Sequence, residues 1–362
     1  MTSPHPGSPT LLAMCLLAFT TSVAGCWMMA GIGEPGDGGD TDTVTGTETE
    51  TETYDEDAFE PIPMDCSECP SLGGELLNML CAIDLCDLEY VLDMEYGSPQ
   101  VVANKLPDTY QAVTRFGADN NQLGPRLHGS YALMATGPAE GTTHSQDLGS
   151  ITPVTDPFGD DPSENVYDTV EWRLTLRAPD LARAFRFKYV FLSEEYDDYI
   201  GTEFNDKFYV ILEAGSTEGG APTAINFTRC REPNDYADFV CEAGDPGCTP
   251  GKKYCYIAIN SAFSDCCWYQ GCPASGPTTN IGGTGFECAS SAEDDGETHG
   301  SSTGWLLTSW PIDGGEVFTL TFHLHDTGDG VFDSEVILDA FQFLMKEDQG
   351  TQPTDAGPDT DS

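Results

Sequence analysis

Positive charge is what this chain most lacks: 14 Lys and Arg stand against 61 Asp and Glu, a formal net charge of -47 over 362 residues. A field of that sign repels phosphate backbones and anionic membrane surfaces, so nucleic acid is excluded as a partner and cations become the natural one. Long apolar runs are missing too. The stretch from Leu11 to Ala24 is too short to span a bilayer and has the length of a signal-peptide core, and no second segment is long and apolar enough to cross. Catalytic signatures are scarce. Ser193 has no nucleophile-elbow context, and no His is placed to argue for a triad.

What is present points outward from the cell. Residues 1–25 read as an export signal, and its end, Val23-Ala24-Gly25-Cys26, resembles the lipobox of bacterial lipoproteins. That resemblance implies a lipid on Cys26 and a cell-envelope location, on the outer membrane or cell surface, with the membrane touched through the lipid alone. Trp27 after that cysteine is not the Asp associated with inner-membrane retention. Fourteen cysteines occur in all, and removing Cys15 with the signal and Cys26 with the lipid leaves twelve: 66, 69, 81, 86, 230, 241, 248, 255, 266, 267, 272 and 288. An even number in an exported chain makes disulfides the expected state.

Residues 26–62 form a Thr-, Glu- and Gly-rich acidic tether, expected to be disordered because it has too little apolar surface to offset its ordering entropy. A short acidic tail, 347–362, is expected to behave likewise. Between 63 and 98 lies a small lead-in, where Leu76, Leu77, Leu80 and Ile83 recur at helical spacing beside Cys66, Cys69, Cys81 and Cys86. A helix stapled by two local bridges fits. A four-cysteine zinc site is the alternative, with loose spacing in an oxidising compartment.

The body, 99–346, has a β signature. Eight stretches rich in aromatic and β-branched residues, at 130–136, 170–176, 184–192, 208–213, 254–260, 304–310, 317–325 and 335–344, are separated by Gly, Pro, Asn and Asp. Short strands without long helical patterns between them predict an all-β fold, an antiparallel sandwich or jelly roll. A cysteine-rich insertion, 229–300, interrupts the pattern and contains one core strand, "YCYIAIN".

Two acidic clusters sit beside strand ends. One is "FLSEEYDDYIGTEFND", 191–206, and the other "HDTGDGVFDSEVILD", 325–339, punctuated by Gly328 and Gly330. Hard cations such as Ca²⁺ take oxygen ligands, and glycines let a loop turn tightly enough to offer them. The predicted ligands are Glu194, Glu195, Asn205, Asp206, Asp326, Asp329 and Asp333, which requires the strands ending at Leu192 and His325 to approach each other. Asp197, Asp198 and Glu203 read as solvated loop charge. Two other readings stay open: solvated acids throughout, or a glycosidase-like carboxylate pair, for which no cleft is visible. His323 and His325 alternate onto one face of a strand, where zinc would need a third ligand. Trp268, Tyr269, Trp305 and Trp310 are either a glycan platform or, more in keeping with large aromatics, packing residues.

The combination "FLSEEYDDYIGTEFNDKF", "YIAINSAF", "STGWLLTSWPI" and "FTLTFHLHDTGDGVFDSEVILDAFQF", with the upstream "GSYALMATG" and "CAIDLC", resembles the choice-of-anchor L domain of bacterial surface proteins. The resemblance runs from about residue 75 to 345. It implies an exported, envelope-tethered, β-rich domain whose binding role is largely unassigned; the role expected here is non-catalytic, in adhesion or in binding an extracellular glycan or protein. A surface hydrolase using paired carboxylates is the alternative.

Overall fold

The computed structural model describes residues 60–354 except 68, 70–72, 102, 140–147, 149–151, 160–164, 197–198, 203, 232–234, 265–279 and 288–299. The predicted export signal, Cys15, Cys26, nearly all of the tether, Trp268, Tyr269 and Cys266, Cys267, Cys272 and Cys288 lie outside the described residues.

The fold is all-β, two antiparallel sheets facing each other, as the strand pattern predicts. The first sheet runs β1 (Val91–Gly97), β5 (Asn165–Arg177), β14 (Val317–Thr327), β7 (Lys207–Glu213), β11 (Lys253–Ala258), β10 (Phe239–Val240). Short strands β4 (Val154–Thr155), β8 (Thr223–Ala224) and β9 (Phe227–Arg229) flank it. The second runs β16 (Gly350–Pro353), β13 (Leu306–Pro311), β6 (Ala184–Ser193), β15 (Ser334–Leu344), β3 (Tyr131–Ala135), β2 (Tyr110–Val113), with β12 (Ser301–Ser302) beside β6. All eight predicted strands are present.

Alternation explains the layering. Val170, Trp172, Leu174 and Leu176 of β5 and Phe318, Leu320, Phe322 and Leu324 of β14 point to the inter-sheet core. Phe185, Phe187, Tyr189 and Phe191 of β6 and Val336 and Leu338 of β15 meet them from the other sheet. Burying each such side chain is worth about 1.5–3 kcal/mol. Strand β6 is buried on both faces. Its other face carries Val190 and Leu192, covered by Phe116, Leu123, Ile281, Phe286 and Trp305. Trp305 and Trp310 are therefore packing residues, 2% and 1% exposed.

The lead-in contains the predicted helix, α1 (Glu75–Ala82), and its cysteines pair as Cys66–Cys86 and Cys69–Cys81. These are disulfides, not zinc ligands. Two more, Cys230–Cys255 and Cys241–Cys248, staple the insertion around β10 and β11.

Three expected boundaries move. Strand β1, inside the 63–98 lead-in, is the edge strand of the first sheet, paired with β5. The end of the tether, Glu60 to Ile62, joins β15: Pro61 bridges Leu344, and the Ile62 amide donates to the Phe343 carbonyl at 2.7 Å. The tail is ordered where it forms β16, whose residues 350–353 pair with β13. Backbone pairing on an exposed sheet edge does not require apolar side chains, so polar composition concealed it.

Candidate metal centre

The predicted cation ligands come from both sheets. Glu194 and Glu195 follow β6 in the second sheet, Asn205 and Asp206 precede β7 in the first, and Asp326 lies near the end of β14. The β14–β15 hairpin crosses from the first sheet to the second and carries Asp329 and Asp333. That crossing draws the two strand ends together. Ser334 pairs with Ser193, and the Glu194 amide donates to the Asp333 carbonyl at 3.3 Å.

Asp206 sits at the centre of this junction. Its Oδ1 accepts the Thr327 amide at 3.0 Å and its Oδ2 accepts the Ser334 hydroxyl at 2.8 Å. Its own amide donates to Glu195 Oε2 at 2.9 Å. The β6 end, the β7 start and the β14–β15 hairpin are thus held by two carboxylates, both buried. Asp333 is buried against Gly137, the glycine that closes "GSYALMATG", where any side chain would collide with its carboxylate.

Electrostatically the junction is overloaded. Burial, and then Asp206, Asp333 and Asp168, push the Asp326 carboxyl well above the usual range. Burial and Asp206 do the same to Glu195, and burial raises Asp206, with Asp329 adding to it. Glu194 is pushed up to about 8 by burial. Asp326 is 1% exposed, and neither of its oxygens has a hydrogen-bond partner; the Thr136 hydroxyl faces it. The buried Asn205 Oδ1 is also unpartnered. A buried carboxylate among carboxylates, without a matching cationic side chain, is costly unless it is protonated or meets a cation.

Asp168 belongs to this group and was not predicted. It lies on a β-bulge of β5, where Leu324 opposes Val170 but Asp326 opposes Tyr167, and it adopts a left-handed conformation with φ 44°. The bulge turns a carboxylate toward the junction, and its Oδ2 accepts the Leu148 amide at 3.1 Å. The cue in sequence is slight: Asp168 is one of two acids, with Glu171, inside the strand "NVYDTVEW".

The donor set, carboxylates with an amide oxygen and a hydroxyl nearby, fits a hard cation. The carboxylates share a neighbourhood rather than a point. Among the described residues, the one trio of Cys, His or acidic groups with ligand atoms within 4.8 Å of each other is Cys241, Asp245 and Cys248. Its two cysteines are already joined in a disulfide. Coordination by the acidic junction requires side-chain rotation. Asp197, Asp198 and Glu203 lie outside the described residues.

His323 and His325 do share one face, as alternation predicts, but it is not open surface. They are 4% and 0% exposed, and His323 Nε2 lies 2.9 Å from His325 Nδ1. His323 Nδ1 reaches Glu171 Oε1 at 2.9 Å. Facing nitrogens that hydrogen-bond each other are not aimed at a common metal.

Ser193 is buried, its Oγ accepting the Glu195 amide at 3.1 Å. The string Gly300-Ser301-Ser302-Thr303-Gly304 does match Gly-x-Ser-x-Gly, but Ser302 lies in β12, 1% exposed, rather than on a strand-to-helix turn. Among the described residues no helix is long and apolar enough to cross a membrane. Comparison with family models, with curated proteins and with solved structures finds no match to this chain.

Proposed function

We propose that this is a non-catalytic, exported surface domain, held to the bacterial envelope through a lipid on Cys26, whose sandwich is stabilised by Ca²⁺ at the acidic junction. The observation that carries the cation is Asp326: a fully enclosed carboxylate whose oxygens make no close hydrogen bond, with the Thr136 hydroxyl beside it, facing Asp206, Asp333 and Asp168. A divalent ion neutralises such a group. Glu195, Asn205, Asp206, Asp326, Asp329 and Asp333 are the proposed ligands, with Asp168 added and Glu194 at the rim. The junction would then be a joint between the sheets, which suits a domain standing on a tether outside the cell.

The inward burial of these acids supports a structural over a catalytic role. A glycoside hydrolase needs two carboxyls opposed across an open cleft, whereas Asp206 and Asp326 are 0% and 1% exposed. An adhesive role, binding an extracellular glycan or protein, draws support from a groove of about 250 Å³ whose partly exposed rings are Phe158, Phe239 and Tyr256. Rings of this kind stack on the apolar faces of sugars and on side chains. The sequence resemblance to choice-of-anchor L domains supports export and tethering and leaves the ligand open.

Thermal melting in EGTA and then in excess CaCl₂ tests the cation. A rise in Tm with Ca²⁺ and not with matched NaCl is expected. An unchanged midpoint would overturn the calcium reading.

A further inference from the structure

Lys207 is a second oddity, because it is a lysine buried among acids and aromatic rings on the outer side of the first sheet. It opens β7, is 3% exposed, and places Nζ 2.9 Å from Asp156 Oδ2 and 3.5 Å from Asp238 Oδ1. Asp156 follows β4 and Asp238 precedes β10, so three distant segments supply the amine and the two carboxyls. The Tyr209 hydroxyl donates to both Asp156 oxygens, at 2.8 and 2.9 Å, and the Tyr256 amide donates to Asp238 Oδ2 at 2.9 Å. Phe158, Tyr209 and Tyr256 form a ring cluster with centroids 4.9 to 5.9 Å apart, which shields the group from water.

In water an amine and a carboxyl do not condense, because both are solvated ions and the released water is in vast excess. Inside a dry, fixed site both obstacles fall, and near-attack geometry replaces a bimolecular encounter. The two acids are not equivalent. Burial holds Asp238 above the usual range against the pull of Lys207, so it is the one disposed to carry a proton. Asp156, by contrast, is the acid in hydrogen-bond contact with the amine, at 2.9 Å, and is therefore the one placed to take its proton.

We propose that Lys207 and Asp238 condense into an intramolecular isopeptide bond, with Asp156 as the base. The Lys207 ammonium gives one proton to the Asp156 carboxylate. The neutral Nζ then forms a bond to Cγ of the protonated Asp238, the Cγ–OH bond breaks, and a second amine proton leaves with the hydroxyl as water. The products are one secondary amide, one water and a protonated Asp156, with no oxidant or external reactant. Asp238, whose side chain is 12% exposed, lies at the edge of the site and gives the water a way out. The bond would tie β7 to the insertion that Cys230–Cys255 also staples, by a link that reductants cannot open.

Mass spectrometry of the full-length protein, reduced and digested, reads this directly. The expected result is a branched peptide pair joined through Lys207 and Asp238 and lighter than its parts by one water. Lys207→Arg and Asp238→Ala should give only linear peptides. Asp156→Asn, which keeps volume and can still accept from Tyr209, should leave Lys207 and Asp238 intact as free side chains. Linear peptides from the wild-type protein overturn the proposal whether or not the variants fold. A branch to Asp156 instead, or a branch surviving in Asp156→Asn, overturns the assigned roles.

Discussion

The Thr327 amide donates to Asp206 Oδ1 at 3.0 Å, and this one bond ties the start of β7 to the end of β14 where Asp326 is enclosed. The clamp and the crowded carboxylate are therefore the same piece of structure. What neutralises Asp326 also decides how firmly the two sheets are joined at this end.

Asp326→Asn separates charge from shape at this point. In EGTA it removes the central repulsion and should stabilise the protein by about 1–3 kcal/mol, the usual scale for an uncompensated buried polar or charged group. With CaCl₂ the same variant should lose most of the calcium-dependent rise in Tm. A variant that melts lower in EGTA and keeps the full calcium response would show that Asp326 is not a ligand.

Acidity should act in opposite senses on the two forms. A carboxyl whose native pKa is raised, as for Glu194 at about 8 and for Asp206 and Asp326, keeps a proton in the folded chain that the unfolded chain has released. Stability of the metal-free protein therefore falls as pH rises from roughly 4 to 8. Asp156 and Glu171 are lowered instead, so their contribution is lost only below the usual carboxylate range, outside that window. His325, held neutral by burial, costs stability below about pH 6.5, against the several raised carboxyls that act the other way. Melting curves in EGTA should give a higher Tm near pH 5 than near pH 8, and CaCl₂ should add more at pH 8. A metal-free Tm that climbs across this range would contradict the crowding.

Where the lead-in meets the body, a second acid pair makes a different prediction. Asp339 accepts the Arg126 amide through Oδ2 and the Ala340 amide through Oδ1, both at 2.6 Å, while burial and Asp84 raise its pKa. Asp339→Ala orphans two buried amides and should cost about 2–4 kcal/mol in urea unfolding. Asp339→Asn keeps an acceptor, relieves the repulsion from Asp84, and should cost much less. Equal losses in the two variants would point to packing rather than hydrogen bonding.

The lead-in disulfides close short loops, with separations of 20 and 12 residues. Replacing either pair by Ser should cost about 3 kcal/mol on the chain-entropy scale. The loss should appear as faster hydrogen exchange over α1, with the β5, β6 and β14 amides still protected. Uniform deprotection would mean that the lead-in is integral to the core.

For the anchor, Cys26→Ser should move the protein from the membrane fraction to the soluble one after cell lysis. Retention in membranes would rule out the lipid as the means of attachment.

Much of the architecture was legible because period-two alternation is a property of the chain itself. "FTLTFHLH" can bury Phe318, Leu320, Phe322 and Leu324 together only as a strand. The local cystines were legible for the same reason, since Cys66, Cys69, Cys81 and Cys86 surround one short helix. The net charge of -47 is legible in the sequence too, and it directs the reading toward cations rather than phosphates.

Tertiary structure decided what the alternation left unspecified. Edge strands β1 and β16 are held by backbone hydrogen bonds that composition does not encode. His323 and His325 sit on the face opposite the core, yet Phe158, Tyr209 and the Glu171 carboxylate enclose that face, and only three-dimensional layering could bury it. Asp168 joins the acidic junction through a bulge, and Lys207 meets Asp156 and Asp238 because three separate segments converge. The sequence by itself determined which residues could be strand, staple or ligand. Which carboxylates face one another was settled by the β14–β15 hairpin crossing between the sheets, since repulsion depends on distance and distance belongs to the folded chain.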